Sequence, residues 1–172
     1  MTQEQSLPQD PAQPQQSPRP AAMLMIATYV VGAVGAFIGF ATLQSKPPSL
    51  TWAVLLAVGA AGVLSFVRHS ILHRSDAARM GWTSAGRNNF QIEVGLANLA
   101  WGVVALLAAL LGWGLRAEAT TLLVFGCYLA GVSLMLVTTP SADRTRPWRQ
   151  VVGMGAYAVV LLWLGFAGMA AS

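Results

Sequence analysis

Two histidines and an aspartate lie at helical spacing in the polar stretch that follows the second apolar run. His69, His73 and Asp76 would share one face of a continuous helix over residues 66–82. Two imidazoles and a carboxylate can bind a transition metal and leave coordination positions open for chemistry. These three residues, which include both histidines of the chain, are therefore candidate metal ligands.

The same stretch also fits an amphipathic helix at a membrane surface, and we favour this interpretation. Metal and haem sites in membranes generally use more ligands than two histidines and one aspartate. On a surface helix Arg68, Arg74 and Arg79 would contact anionic lipid, and Trp82 would lie in the aromatic belt. On this interpretation the chain binds no metal or other cofactor and has no catalytic residue.

Glu93 lies at the start of the third apolar run, where Asn88 and Gln91 form a capping pattern. A carboxylate in the first turn of a helix is favoured by the helix dipole. We therefore expect Glu93 to cap the helix or to pair with Arg87 or Arg68, in preference to a role in proton transfer.

The composition identifies the class of protein that carries these residues. Of 172 residues, 55% are hydrophobic and 9% are charged, whereas a soluble domain has about 25% charged residues. The net charge of +4 comes from basic residues in the gaps between apolar runs, which membrane topology explains without nucleic acid. The single Cys127 cannot form a disulfide within the chain. These features indicate an integral membrane protein.

Five apolar runs are long enough to span a bilayer, which takes about 20 residues of helix. They cover about residues 21–43, 50–67, 94–115, 120–139 and 151–171. We predict an all-α bundle of five transmembrane helices, or of four if the short second run does not cross. Residues 1–20, rich in Pro and Gln, are expected to form a disordered tail, and residues 68–93 a basic loop.

The distribution of basic residues predicts the orientation. With the N-terminus inside, eight of the ten Lys and Arg residues fall on the cytoplasmic side. We expect a multi-pass protein of the bacterial cytoplasmic (inner) membrane, with the N-terminus in the cytoplasm and the C-terminus outside.

The third run carries a stripe of small and amide residues that predicts close helix packing. Its members are Gln91, Gly95, Asn98, Gly102, Ala105, Ala109 and Gly112. In the first run Gly35 and Gly39 provide a similar surface. We expect these surfaces to pack against other helices of the same chain.

The block from Phe66 to Gly102 resembles the signature region of a family of small, uncharacterised, multi-span bacterial inner-membrane proteins. Its pattern E-x-G-x-A-N-L-x-x-G is matched by Glu93, Gly95, Ala97, Asn98, Leu99 and Gly102. The resemblance implies a multi-span membrane fold and no particular activity.

Three functions remain open at this stage. The leading hypothesis is a non-enzymatic protein, an accessory or stabilising subunit that packs against itself or a larger membrane complex. The second is a small oligomeric transporter or channel, and the third is a metal- or haem-binding enzyme that uses His69, His73 and Asp76. The expected surroundings are the lipid bilayer, and a homo-oligomer or larger complex, without nucleic acid.

Overall fold

A computed structural model describes residues 17–80, 89–138 and 148–172, with the side chains of residues 149 and 150 excepted. The tail up to residue 16, and Trp82, Arg87 and Asn88, lie outside the described residues. The expectations that concern them stay predictions.

Six helices make up the described part, which contains no β-strand. They are α1 (Arg19–Leu43), α2 (Thr51–Ile71), α3 (His73–Arg79), α4 (Asn89–Leu110), α5 (Leu115–Thr138) and α6 (Trp148–Ala170). All except α3 are long and apolar enough to cross a membrane. The predicted all-α architecture with five spanning helices is confirmed, and the second run forms a spanning helix of 21 residues.

The helix ends differ from the predicted runs where polar residues join a helix. Helix α2 runs on to Ile71, beyond residue 67, and α4 begins at Asn89, before residue 94. Between α4 and α5, Gly112 (φ 63°) and Gly114 (φ 90°) adopt the left-handed conformation that glycine tolerates best. The turn they form ends α4 at Leu110. Gly112 is therefore an exposed turn residue, and its predicted place in the packing stripe is wrong.

The other members of the stripe on α4 are buried, and they face α2. A Cβ atom at Gly102 would lie 3.0 Å from the carbonyl oxygen of Gly59, and one at Gly62 would lie 2.6 Å from that of Asn98. Only glycine allows the two backbones to come this close. Gly95, Asn98, Gly102, Ala105 and Ala109 are all buried, with Gln91 and Ala108 beside them.

Gly35 and Gly39 play the same part between α1 and α2. A Cβ atom at Gly35 would lie 2.7 Å from the backbone nitrogen of Ala57, and one at Gly39 would lie 2.8 Å from the Cβ atom of Ala53. Both glycines are buried. Helices α1 and α4 therefore pack closely on α2, while α5 and α6 form an antiparallel pair that covers the apolar core.

Candidate functional site

The site is formed where α2 ends and α3 begins. The last turn of α2, Val67–Ile71, is π-helical, and the amide of Leu72 donates to the carbonyl of Val67 over 2.8 Å. Leu72 then leaves the helical conformation (φ −94°, ψ 24°). A wide turn followed by a break rotates the residues that come after it, so the continuous helix expected over 66–82 is not formed.

The centre of the site is Asp76, whose side chain is 0% exposed. Its Oδ1 accepts a 2.8 Å hydrogen bond from Nε of Arg79, and its Oδ2 accepts a 2.9 Å bond from Nε2 of Gln91. Nδ1 of His69 lies 2.9 Å from Oδ2, and Nε of Arg68 lies 4.0 Å from Oδ1. These five residues, the Asp76 cluster, bring together α2, α3 and α4.

The contacts of His69 indicate which ring nitrogen carries the proton of the neutral form. Nη2 of Arg68 lies 2.8 Å from Nε2 of His69. A guanidinium can only donate, so Nε2 accepts and the proton of a neutral ring is on Nδ1, beside Asp76. Nδ1 lies close to the carboxylate, but the two groups are not aligned as a hydrogen bond, and Nδ1 has no other acceptor. This contact is therefore chiefly electrostatic.

The cluster keeps Asp76 ionised. Burial raises the pKa of a carboxyl group, but contact with His69 and the charges of Arg68 and Arg79 outweigh it, and the pKa of Asp76 falls from 3.8 to about 2. Asp76 is therefore an anion at neutral pH, with both oxygens occupied by neighbouring donors.

The three candidate metal ligands are not brought together. His69 contacts Asp76, but Nδ1 of His73 lies 3.0 Å from the carbonyl oxygen of Ser70 and donates to it. Among the described residues no group of three or more His, Cys, Asp or Glu side chains could hold a metal ion.

Two of the arginines expected at the lipid surface lie inside the protein instead. The side chains of Arg68 and Arg79 are only 13% and 12% exposed, because the buried carboxylate of Asp76 attracts both guanidinium groups. Arg74 is exposed, and its contact with lipid headgroups stays a prediction. Glu93 is exposed too, on the outer side of α4.

Helix α3 is also joined to α1, through Ser75. The hydroxyl of Ser75 donates to the carbonyl of Ser17 over 2.7 Å and accepts from the amide of Ala21 over 3.2 Å. It thereby satisfies one of the amides left free at the start of α1. With Ser75 and Asp76 side by side, the seven-residue helix α3 fastens three spanning helices.

The packing stripe on α4 positions this helix in the site. A Cβ atom at Gly95 would lie 3.2 Å from the Cβ atom of His69 and would also collide with the hydroxyl of Ser70. The missing side chain lets α4 approach α2, and this approach places Gln91, one turn earlier, against Asp76. Asn98, one turn later, donates from its amide to the carbonyl of Val94 over 2.7 Å.

A second buried acid, which the sequence did not single out, lies at the other end of α2. Glu118 is 4% exposed. Its Oε2 accepts from the amide of Leu50 (3.1 Å) and its Oε1 from the hydroxyl of Thr51 (2.6 Å). Glu118 therefore caps α2 from the first turn of α5. The position of Glu118 at the edge of an apolar run could have indicated a capping role, but its partners Leu50 and Thr51 lie far away in sequence.

Fold and site together define a multi-pass helical membrane protein with a buried charge cluster at one end of the bundle. The chain belongs to DUF6790, a family of unknown function, whose model matches residues 22–143. The match includes the whole Asp76 cluster, and it confirms the resemblance to a family of unknown function. No curated protein and no solved structure matches the chain.

Proposed function

We propose that this protein is a non-enzymatic accessory or stabilising subunit of a larger complex in the bacterial cytoplasmic membrane. The observation that carries the proposal is the burial of Asp76: its side chain is 0% exposed, Arg79 and Gln91 each donate to one carboxylate oxygen, and His69 lies against one of them. A carboxylate that is buried and bonded in this way serves to fasten helices, since a general base or a metal ligand must be reachable by a substrate, by water or by a metal ion.

The surface of the bundle supports a role inside the membrane. Large apolar side chains on the spanning helices point outward, with Phe37 76%, Leu110 69% and Phe166 66% exposed. The described connections between spanning helices, residues 44–50 and 111–114, are short. A partner would therefore be met mainly within the bilayer, where helices associate through packing and interhelical hydrogen bonds.

The proposed orientation has the start of α1 and the Asp76 cluster on the cytoplasmic side. Most of the basic residues are on that side when the N-terminus is inside, as the positive-inside rule requires. Five crossings then place the end of α6 outside the membrane.

The test is the size and composition of the particle in native membranes. The chain, tagged at Ser172 and expressed at its natural level, is extracted in mild detergent, sized, and analysed by mass spectrometry. We expect a particle larger than one chain, with a second protein present in fixed ratio. Recovery as a bare monomer contradicts the proposal. A homo-oligomer that conducts ions or solute in proteoliposomes favours the transporter or channel instead.

Three substitutions of exposed side chains test which face binds the partner and leave the bundle intact. Phe37→Ala, Leu110→Ala and Phe166→Ala each remove an exposed side chain, so the protein should fold normally in all three. At least one of them should lower the recovery of the partner. An unchanged ratio in all three would show that the partner does not bind these faces.

A further inference from the structure

We infer that the chain binds one anionic phospholipid, with an acyl chain in the groove between α1 and α6 and the phosphate group beside Arg68. A bound lipid neither requires nor excludes a partner protein, so the inference goes beyond the proposed function. It rests on an unbalanced positive charge in the Asp76 cluster and on the place, size and lining of the groove.

The Asp76 cluster contains more positive than negative charge. Arg68 and Arg79 are cations, Asp76 is an anion, and His69 is neutral as long as its Nε2 accepts from Arg68. Two guanidinium groups therefore share one carboxylate. Their side chains are only 13% and 12% exposed, so water compensates the surplus charge poorly.

Arg68 is the cation that the carboxylate neutralises less. Arg79 donates to Oδ1 of Asp76 over 2.8 Å, whereas Nε of Arg68 lies 4.0 Å from the same oxygen and has no hydrogen-bond partner among the described residues. The other acids in the described part of the chain, Glu93 and Glu118, lie on the outer side of α4 and at the opposite end of α2. An anionic group from outside the chain would therefore complete the charge balance at Arg68.

The position of Arg68 along α2 brings it close to the lipid headgroups. It lies in the last turn of this spanning helix, which ends at Ile71, and arginine side chains near the end of a span extend toward the headgroups. A guanidinium group matches phosphate oxygens in geometry as well as in charge. The exposed part of the Arg68 side chain can therefore contact a phosphate group of the adjacent leaflet.

An apolar groove lies between α1 and α6 and is open along its length. Tyr29 is at the end of the groove nearest the Asp76 cluster, and it lies within electrostatic range of Arg68. The groove therefore leads from the surroundings of Arg68 into the hydrocarbon layer. Its other lining residues are small, aliphatic or aromatic, and include Ala33, Phe37 and Phe40 of α1 and Gly153 and Ala156 of α6.

The dimensions of the groove fit an acyl chain better than a helix. Along α1 it extends from Tyr29 to Phe40, which is about 16 Å of helix, and one leaflet contributes about 15 Å of the hydrocarbon core. Its volume of about 440 Å³ over this length gives a cross-section of about 27 Å². An α-helix with its side chains is about 10–12 Å across and needs about three to four times that area. A single hydrocarbon chain is therefore the occupant that this width allows.

The experiment counts the lipids that bind to the purified full chain. The protein is extracted in mild detergent, stripped of lipid, and mixed with phosphatidylglycerol or with phosphatidylcholine of the same acyl chains, and native mass spectrometry measures the bound lipid. We expect one phosphatidylglycerol per chain, bound about fivefold more tightly than phosphatidylcholine, because the surplus arginine favours an anionic headgroup. Inorganic phosphate at the same ionic strength should not release it, since the acyl chain holds the lipid in the groove.

A pair of glycine substitutions tests the groove. Gly153 and Gly131 are both exposed, and a Cβ atom at either would meet no atom within 4 Å, so both positions have room for a leucine. Gly153→Leu places its side chain in the groove and should weaken the binding of both lipids about tenfold, the effect of excluding about two methylene groups. Gly131→Leu, on α5 and outside the groove, is the matched control and should bind lipid as the unsubstituted protein does.

A pair of arginine substitutions tests the charge. Arg68→Met keeps a long side chain and removes the surplus cation, while Arg79 still neutralises Asp76, so this variant should bind the two lipids equally. Arg68→Lys keeps the charge and should keep the preference for phosphatidylglycerol.

Four outcomes would overturn the inference. Three of them are equal binding of the two lipids to the unsubstituted protein, equal binding of phosphatidylglycerol to Gly153→Leu and Gly131→Leu, and release of the lipid by inorganic phosphate. The fourth is a preference for phosphatidylglycerol that persists in folded Arg68→Met. Should Arg68→Met fail to fold, the first three outcomes decide without it.

Discussion

The carbonyl oxygen of Ala57 accepts a 2.7 Å hydrogen bond from the hydroxyl of Tyr157, one hundred residues further along the chain. Ala57 lies in the π-helical segment Val54–Ala60 of α2, where the backbone pairing departs from the α-helical pattern. The bond joins α6 to α2 within the apolar part of the bundle. Gly32 of α1 makes room for it, because a Cβ atom there would lie 2.5 Å from the hydroxyl oxygen of Tyr157.

Tyr157→Phe should lower the stability of the protein by about 1 kcal/mol, since it removes this bond and leaves a buried carbonyl with one partner fewer. Thermal unfolding in detergent measures the change. Tyr29→Phe is the matched control, because Tyr29 is 36% exposed and should tolerate the loss of its hydroxyl. Equal effects of the two substitutions would show that the interhelical bond contributes nothing measurable.

Gly102→Leu should separate α4 from α2. A Cβ atom at Gly102 already lies 3.0 Å from the carbonyl oxygen of Gly59, so a leucine forces the backbones apart, at a cost of about 3 kcal/mol. Val104→Leu, at a position 47% exposed on the same helix, should change little. Because the contact lies within one chain, thermal stability should fall while the particle size stays constant. A stable Gly102→Leu protein would contradict the packing described above.

Asp76→Asn should destabilise the protein strongly, by about 3 kcal/mol or more, since it leaves the guanidinium groups of Arg68 and Arg79 buried without their counter-charge. Glu93→Gln removes a carboxylate from an exposed position of the neighbouring helix and serves as the control. The free energy of unfolding is compared at neutral pH. A loss as small as that of Glu93→Gln would mean that the cluster does not hold the helices together.

The free energy of unfolding at acid pH should include a contribution from the ionisation of Asp76. Its pKa is about 2 in the folded protein against 3.8 for the free group. A lowered pKa stabilises the fold above the unfolded value, and this contribution, about 2 kcal/mol, disappears as the pH falls from about 4 through about 2. The difference in stability between the unsubstituted protein and Asp76→Asn should therefore shrink over this interval. A constant difference would contradict the lowered pKa.

A reporter that works only in the cytoplasm tests the orientation. Fused after Arg79 or after Arg146, it should be active, and fused at Ser172 it should be silent, because an odd number of crossings puts these positions on opposite faces. A reporter that works only outside should give the reverse pattern. Activity of the cytoplasmic reporter at Ser172 would require a different number of crossings or a different insertion.

The spanning helices could be predicted from the sequence because hydropathy and length alone decide whether a helix can cross a bilayer. The packing surfaces of Gly95, Gly102 and Gly35 could be predicted as well. In a membrane, close approach of backbones is a main source of helix association, and small residues at regular spacing indicate where it occurs.

The members of the site could not be predicted from the spacing of residues in the sequence. The helical periodicity grouped His69 with His73 and Asp76, but the π-turn and the break at Leu72 separate His73 from the other two. Gln91 reaches Asp76 only because α4 packs on α2. The partners of Glu118 lie 67 and 68 positions away in sequence. Contacts between distant segments depend on the packing of the whole bundle, which no local spacing encodes.

The position of α3 between α2 and α4 in the chain also sets an order of assembly. Arg68, His69, Asp76 and Arg79 all leave the ribosome before Gln91, and Gln91 reaches the carboxylate only when α4 lies alongside α2. Until the third crossing is inserted, the first two spans are therefore fastened by an incomplete cluster. The first two spanning helices therefore acquire this bond to Asp76 from a residue that is synthesised after them.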